Sequence, residues 1–221
     1  DATVTSTLTL AGLIGSETLN KTYSAAFSDK NVGTGKTVTV SSITLADGSN
    51  GGLASNYSIS TGQTDTANIT AKALTLSGLT ANNKVYDGGT VATISSYGSI
   101  SGIETGDTVT LNSSSADPDF DNENVGTGKT VTVQSLALAG TDAGNYSIGN
   151  QTTTANITAK TLTATLSASN KTYDGNTTAN VTLTLSGVID DETVTSTNSS
   201  TFNDKNVGTG KTVTVNSITL A

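Results

Sequence analysis

Apolar residues alternate with Thr, Ser and Asn along most of this chain, at a period of two and never at a helical period. In Lys129–Leu138 the apolar positions are Val131 and Val133, then Leu136 and Leu138, so the phase slips by one residue between the pairs. The same slip separates Val38 and Val40 from Ile43 and Leu45, and Val213 and Val215 from Ile218 and Leu220. Side chains of a strand point alternately to its two faces. A slip in phase therefore predicts a β-bulge, or a strand that leaves one sheet for another. Turn signals such as Asp87-Gly-Gly89, Gly126-Thr-Gly128 and Asp142-Ala-Gly144 break the pattern. They recur at roughly 8–12 residue intervals, the rhythm of an all-β sandwich.

The slips coincide because the chain repeats itself. Asn31-Val-Gly-Thr-Gly-Lys-Thr-Val-Thr-Val40 returns unchanged at Asn124–Val133 and at Asn206–Val215. Thr66-Ala-Asn-Ile-Thr-Ala-Lys72 returns at Thr154–Lys160, and Lys84-Val-Tyr-Asp-Gly88 returns as Lys171-Thr-Tyr-Asp-Gly175. Internal repetition takes precedence over local signals when a fold is assigned. Cutting after the Ala-Lys pairs gives residues 1–72 as a partial copy without its first strand. Residues 73–160 then form a complete copy, and 161–221 a partial copy without its last strands. Tyr23 belongs to a different place in the repeat from Tyr86 and Tyr173, despite the shared Asn-Lys-Thr-Tyr, because it lies only eight residues before Asn31.

Asp142-Ala-Gly-Asn-Tyr146, followed by an alternating strand and then Ala155–Ala159, resembles the entry to the sixth strand of immunoglobulin domains. There a Tyr hydroxyl bonds to nearby backbone and forms a corner. The expected fold is accordingly all-β, a tandem array of Ig-like sandwiches, with a β-grasp or other mostly-β repeat domain as the alternative. In the first copy Leu53-Ala-Ser-Asn-Tyr57 replaces the Asp-containing phrase, which puts the corner in question there.

Composition narrows the functions available. The 221 residues include no His, Cys, Met or Trp, and only 4% are aromatic. The usual general base and the strongest nucleophile are therefore absent, and a glycosidase would need an aromatic-lined cleft beside its carboxylates. The expected protein is not an enzyme. Its net charge of −8 offers no basic face for nucleic acid, and no apolar run approaches the length of a membrane span. With no Cys, stability must come from core packing and contacts between repeats.

Three clusters invite chemistry. Asp117, Asp119, Asp121 and Glu123 place four hard oxygen ligands in one short stretch and form a calcium candidate. Copies one and three carry Ser-Asp-Lys30 and Asn-Asp-Lys205 at the corresponding place, where Lys would repel a cation. Lys84 or Lys171 with Asn68 or Asn156 offers the ingredients of an isopeptide crosslink, although ordinary exposed side chains explain them better, since Asn68 and Asn156 alternate with inward Ile. Asn-x-Ser/Thr sequons at Asn20, Asn68, Asn112, Asn156, Asn176 and Asn198 are numerous, as chance alone dictates in so Ser- and Thr-rich a chain.

The Lys-x-Tyr-Asp-Gly turns, Gly106-Asp-Thr-Val109, Asp142–Tyr146 and Ala155-x-Ile-x-Ala-Lys160 occur in one order. Together they resemble the YDG-type repeat domains of very large bacterial surface proteins of the filamentous-haemagglutinin kind. The resemblance implies an extracellular structural stalk on the bacterial cell surface, or an adhesin repeat in a biofilm, without chemistry or cofactor of its own. Its partners would be neighbouring repeats of the same long chain, other fibres, or a host or matrix surface. A binding module using inter-strand loops is the other reading, and variable loops on repeated strands argue against it. Strands of about eight to ten residues would give each repeat a length of about 30 Å.

Overall fold

The computed structural model describes residues 7–190 and 192–221. These residues form strands throughout, interrupted by two three-residue 3-10 turns, Ala54–Asn56 and Ala143–Asn145. The all-β expectation holds. A β-grasp requires a helix laid across its sheet, and the described residues contain no α-helix to build one.

In the first repeat, Leu19–Phe27, Gly33–Asp47 and Thr64–Ile69 form a three-stranded antiparallel sheet. Opposite Gly33–Asp47 the register jumps from Ser24↔Ser42 to Ala25↔Val40, leaving Ser41 as the extra residue. In the third repeat Ser199↔Ser217 is followed by Ser200↔Val215, so Asn216 is the extra one. Both slips are bulges. The middle repeat takes the other route: Gly126–Gln134 pairs in one sheet, the chain turns through Ser135 at φ 56°, and Ala137–Ala139 pairs with Thr110–Asn112 in another. One sequence pattern thus yields two physical outcomes.

The backbone falls into two compact units, and the division runs through the middle repeat. The first unit contains the described residues up to Leu79 with Ser96–Asp117 and Val133–Gln151. Its core is Leu74, Val109 and Tyr146, packed by Ile100, Ile103 and Leu138. Two short antiparallel pairs frame it, Thr75–Ser77 with Ser99–Ser101 and Thr110–Asn112 with Ala137–Ala139.

The second unit contains Thr80–Ser95, Pro118–Thr132 and the described residues from Thr152 onward. Its sheet runs Asp117–Phe120, Gly126–Gln134, Gln151–Thr158, Lys84–Val85, the last pair parallel through Ile157↔Lys84. Ala92, Phe120, Val131, Ala155 and Ile157 close its core, with Val131 at 0% exposure and Ile157 at 1%. Fully burying a side chain such as Ile or Val stabilises by about 1.5–3 kcal/mol, so these few residues dominate the unit's cohesion. The third repeat contributes two hairpins, Thr163–Ala168 with Val181–Ser186 and Ser196–Phe202 with Val213–Leu220.

Candidate functional site

Three residues of the repeated ten-residue phrase, its asparagine, its second glycine and its lysine, take up recurring structural tasks. The second glycine of each copy takes a left-handed conformation, at φ 60° for Gly35, 62° for Gly128 and 62° for Gly210, which L side chains rarely adopt. This aims the glycine N–H sideways. Gly35 N–H donates to Asn68 Oδ1 at 2.8 Å, and Gly128 N–H donates to Asn156 Oδ1 at 2.8 Å. The asparagine in the repeated Thr-Ala-Asn-Ile phrase is therefore a strand-to-turn clamp.

The lysine that follows reaches back seven residues. Lys36 Nζ meets Asp29 Oδ1 at 2.5 Å, Lys129 Nζ meets Asn122 Oδ1 at 2.7 Å, and Lys211 Nζ meets Asp204 Oδ1. The same oxygens accept the N–H of Asn31, Asn124 and Asn206 at 2.8, 3.0 and 2.8 Å. An Asx turn is thereby closed by a cation. In the middle repeat the Asx is neutral, and Asp121 supplies the missing charge, 2.9 Å from Lys129. Each lysine holds its carboxyl partner (Asp29, Asp121 or Asp204) below the usual carboxylate range.

A second clip explains the Lys-x-Tyr-Asp-Gly motif. Lys84 Nζ donates to Asp87 Oδ1 at 2.7 Å, to the Gly89 carbonyl at 2.6 Å and to the Val91 carbonyl at 3.2 Å. Lys171 Nζ repeats this with Asp174 Oδ1 at 2.8 Å and the carbonyls of Asn176 and Thr178 at 2.9 and 3.0 Å. Both ammonium groups sit 5.7 Å from a phenylalanine ring centroid, Phe120 or Phe202. A cation over an aromatic face gains about 0.5–2 kcal/mol. With its three N–H donors taken, Lys84 is a tie across its own turn. Asn156 is engaged with Gly128, so the ingredients of an isopeptide bond are committed to separate tasks.

The tyrosine corner departs from the immunoglobulin pattern. Tyr146 Oη accepts the Glu104 N–H at 3.0 Å, 42 residues upstream rather than nearby, and donates to Asp107 Oδ2 at 2.7 Å. The first repeat builds the same corner: Tyr57 Oη accepts the Ile14 N–H at 3.1 Å and donates to Glu17. Losing the Asp of copy two does not abolish the corner, because the hydroxyl's partners lie in a different loop.

These corner loops are also where one repeat meets the next. Within the first unit, Lys30 of repeat one pairs with Asp107 at 2.6 Å and with Asp142 at 3.5 Å. Val32 N–H donates to Asn145 Oδ1 at 2.9 Å, and Asn145 Nδ2 donates to Asn31 Oδ1 at 3.1 Å. Lys72 pairs with Glu104 at 2.5 Å, and Lys72–Ala73 runs parallel to Tyr146–Ser147. The Lys30 hydrogen bond, then that of Tyr146, holds the Asp107 carboxyl below its usual range. A cleft of about 330 Å³ at this joint is lined by Lys30, Lys72, Glu104 and Asp107, whose charges neutralise one another.

Within the second unit the middle and third repeats meet through the same loop. Tyr86 Oη donates to Glu192, and a Cβ placed on Gly88 would come 3.0 Å from Ile189 Cγ2. The hydrogen bond to Glu192, followed by burial and by the charges of Glu192, Glu123 and Asp87, raises the Tyr86 hydroxyl above its usual range. Sequence reasoning missed these joints. The signal was present: Glu17, Asp107 and Glu192 occupy one place in the three copies.

The calcium candidates are not drawn together. Asp117 is exposed at the head of its strand, Asp119 accepts from Thr90 Oγ1 at 2.9 Å, and Asp121 serves Lys129. Glu123 stands near Tyr86 as a charge. Among the described residues no three acidic side chains gather as metal ligands.

Against known families, a YDG domain match covers residues 1–67, 70–155 and 158–221. Neither the curated proteins nor the solved structures yield a match.

Proposed function

Because the chain belongs to the YDG domain family, we propose that it is a structural stalk segment of a secreted bacterial surface fibre or adhesin. Its role is mechanical rather than catalytic: it supplies length between the cell and an attachment surface. One observation carries this reading. The residues identical between copies are used for internal bracing, in the glycine clamp, the two lysine clips and the tyrosine corner. A lectin would leave a repeated loop set free for its ligand, whereas the acidic residue repeated as Glu17, Asp107 and Glu192 accepts a tyrosine hydroxyl in each copy, and the acidic run 117–123 occurs once.

The test is to change the number of repeats in the surface protein displayed on cells. Fibre reach, imaged by electron microscopy, is expected to grow in proportion to repeat number while attachment chemistry stays the same. Saturable binding of the purified chain to a glycan array, abolished by loop substitutions, would replace this reading with that of a binding module.

A further inference from the structure

The contact between repeats one and two is organised around one buried hydroxyl. Tyr146, at 7% exposure, forms the core of the first unit with Leu74 and Val109. Its Oη accepts the Glu104 N–H at 3.0 Å and donates to Asp107 Oδ2 at 2.7 Å. Both of the residues it holds face the preceding repeat. Asp107 gives its other oxygen, Oδ1, to Lys30 Nζ at 2.6 Å, and Glu104 Oε1 accepts from Lys72 Nζ at 2.5 Å. The two oxygens of Asp107 thus serve two repeats.

Asp107 is the sheltered member of its ion pair, with a side chain 11% exposed against 53% for Lys30. An exposed ion pair gains little because two mobile side chains must be fixed at once. Here the tyrosine has already fixed one of them, so the lysine meets a carboxylate that is in place before contact. The neighbouring groups are held likewise. Asp142, 3.5 Å from Lys30, accepts the Thr108 N–H at 3.0 Å, and Asn145, next to the tyrosine in the chain, accepts the Val32 N–H at 2.9 Å. In the first repeat Tyr57 holds Glu17 as Tyr146 holds Asp107, so fixing this carboxylate belongs to the corner and not to one copy of it.

We propose that Tyr146 is the positioning residue that couples the fold of repeat two to its contact with repeat one. The hydroxyl builds the docking face, and Lys30 of the preceding repeat engages it. The stability of a repeat array is the sum of each repeat's own stability and a nearest-neighbour contribution, and the corner hydroxyl supplies a large part of the second. Coupling is reciprocal: a closed corner favours docking, and docking favours a closed corner. This inference goes beyond the stalk reading and does not rest on it, because it concerns how these repeats hold one another whatever the chain is for.

Amide hydrogen exchange of the whole chain, resolved by NMR, tests it. The Val32 N–H, held by Asn145 of repeat two, reports docking. The Gly35 N–H, held by Asn68 within repeat one, and the amides of Ala137–Ala139, paired with Thr110–Asn112, report the folds on either side. Tyr146→Phe is expected to speed Val32 exchange about tenfold while those internal amides stay within about twofold of the parent. Lys30→Met is expected to speed Val32 exchange in the parent and to add nothing once Tyr146 is Phe, although Asp107 stands between the two side chains. Unchanged Val32 exchange in a folded Tyr146→Phe chain, or effects of the two changes that combine independently, overturns the proposal. A second measurement needs no change at the tyrosine, in case its loss unfolds repeat two. The Glu104 N–H is held by the Tyr146 hydroxyl, so Lys30→Met, a change in repeat one, is expected to speed its exchange about threefold or more. An unchanged Glu104 amide overturns the proposal equally.

Discussion

Residues 124–133 and 206–215 are the same ten amino acids in two different surroundings. In the middle repeat Val131 and Val133 are at 0% exposure, because Gln151–Thr158 lies beside their strand and brings Ala155 and Ile157 into the core. In the third repeat, among the described residues, the strand Val213–Leu220 pairs with Ser196–Phe202 alone. There Val213 and Phe202 are half-buried and line an open groove of about 680 Å³. The clips, by contrast, are present in both places: Lys129 and Lys211 each reach back seven residues, to Asn122 with Asp121 beside it and to Asp204, and Lys84 and Lys171 cap their turns over Phe120 and Phe202. Local bracing is encoded beside the phrase, in its lysine and an Asp or Asn two residues before it. Burial is supplied by a strand from elsewhere in the repeat.

The largest expected effect separates these two contributions. Val131→Ala should cost about 2–3 kcal/mol in denaturant unfolding, since it opens a cavity in a closed core. Val213→Ala should cost less than about 1 kcal/mol, because solvent already reaches that side chain. Equal losses would mean that the third repeat closes its core by some other means.

Acid should act on both regions alike, because both keep their clips. The carboxyls of Asp87, Asp121, Asp174 and Asp204 are each depressed, first of all by the hydrogen bond from a lysine. Groups depressed in the folded state contribute stability that is fully present above their unfolded pKa, about 4 for Asp, and that disappears as pH falls through the lowered folded values. Thermal melts should therefore be flat from neutrality to about pH 4 and then decline. A decline already complete at pH 5 would show that the clips are not the titrating groups.

Much of this was legible in the sequence. The phase slip at Val40 and Ile43 marked the bulge at Ser41, and the repeated phrases marked the family. Tyr23 sits mid-strand opposite Ile43, as its spacing from Asn31 required. The joints were legible only as a shared position, Glu17, Asp107 and Glu192 at one place in the copies, while nothing local says that Lys30 finds Asp107 and Asp142 at separations of 77 and 112 residues. No periodicity reports such a contact. The acidic run 117–123 misled for the opposite reason. It looked like a ligand set because its residues are adjacent, yet Asp121 is there to compensate for a neutral Asn122 in a lysine clip.

That compensation sharpens the comparison at a smaller scale. Asp121→Asn should lower the melting temperature slightly, by at most about 2 °C, and Asn122→Asp in the same chain should restore it by recreating the arrangement of Asp29 and Asp204. Failure of the second change to rescue the first would mean that Asp121 has another role. Smallest of all is the expected effect of chelation. With Asp119 and Asp121 engaged by Thr90 and Lys129, removing calcium should leave the melting temperature unchanged. A shift of several degrees would reinstate the calcium site.

The central claim is that the neighbouring strand, and not the repeated phrase, makes the core. Hydrogen exchange read by mass spectrometry tests it in one molecule, because Thr130–Val133 and Thr212–Val215 have identical sequences and so identical intrinsic exchange within the segment. The account predicts that amides of 130–133 are protected far longer than those of 212–215, approaching the limit set by global unfolding. Equal protection of the two segments would contradict it.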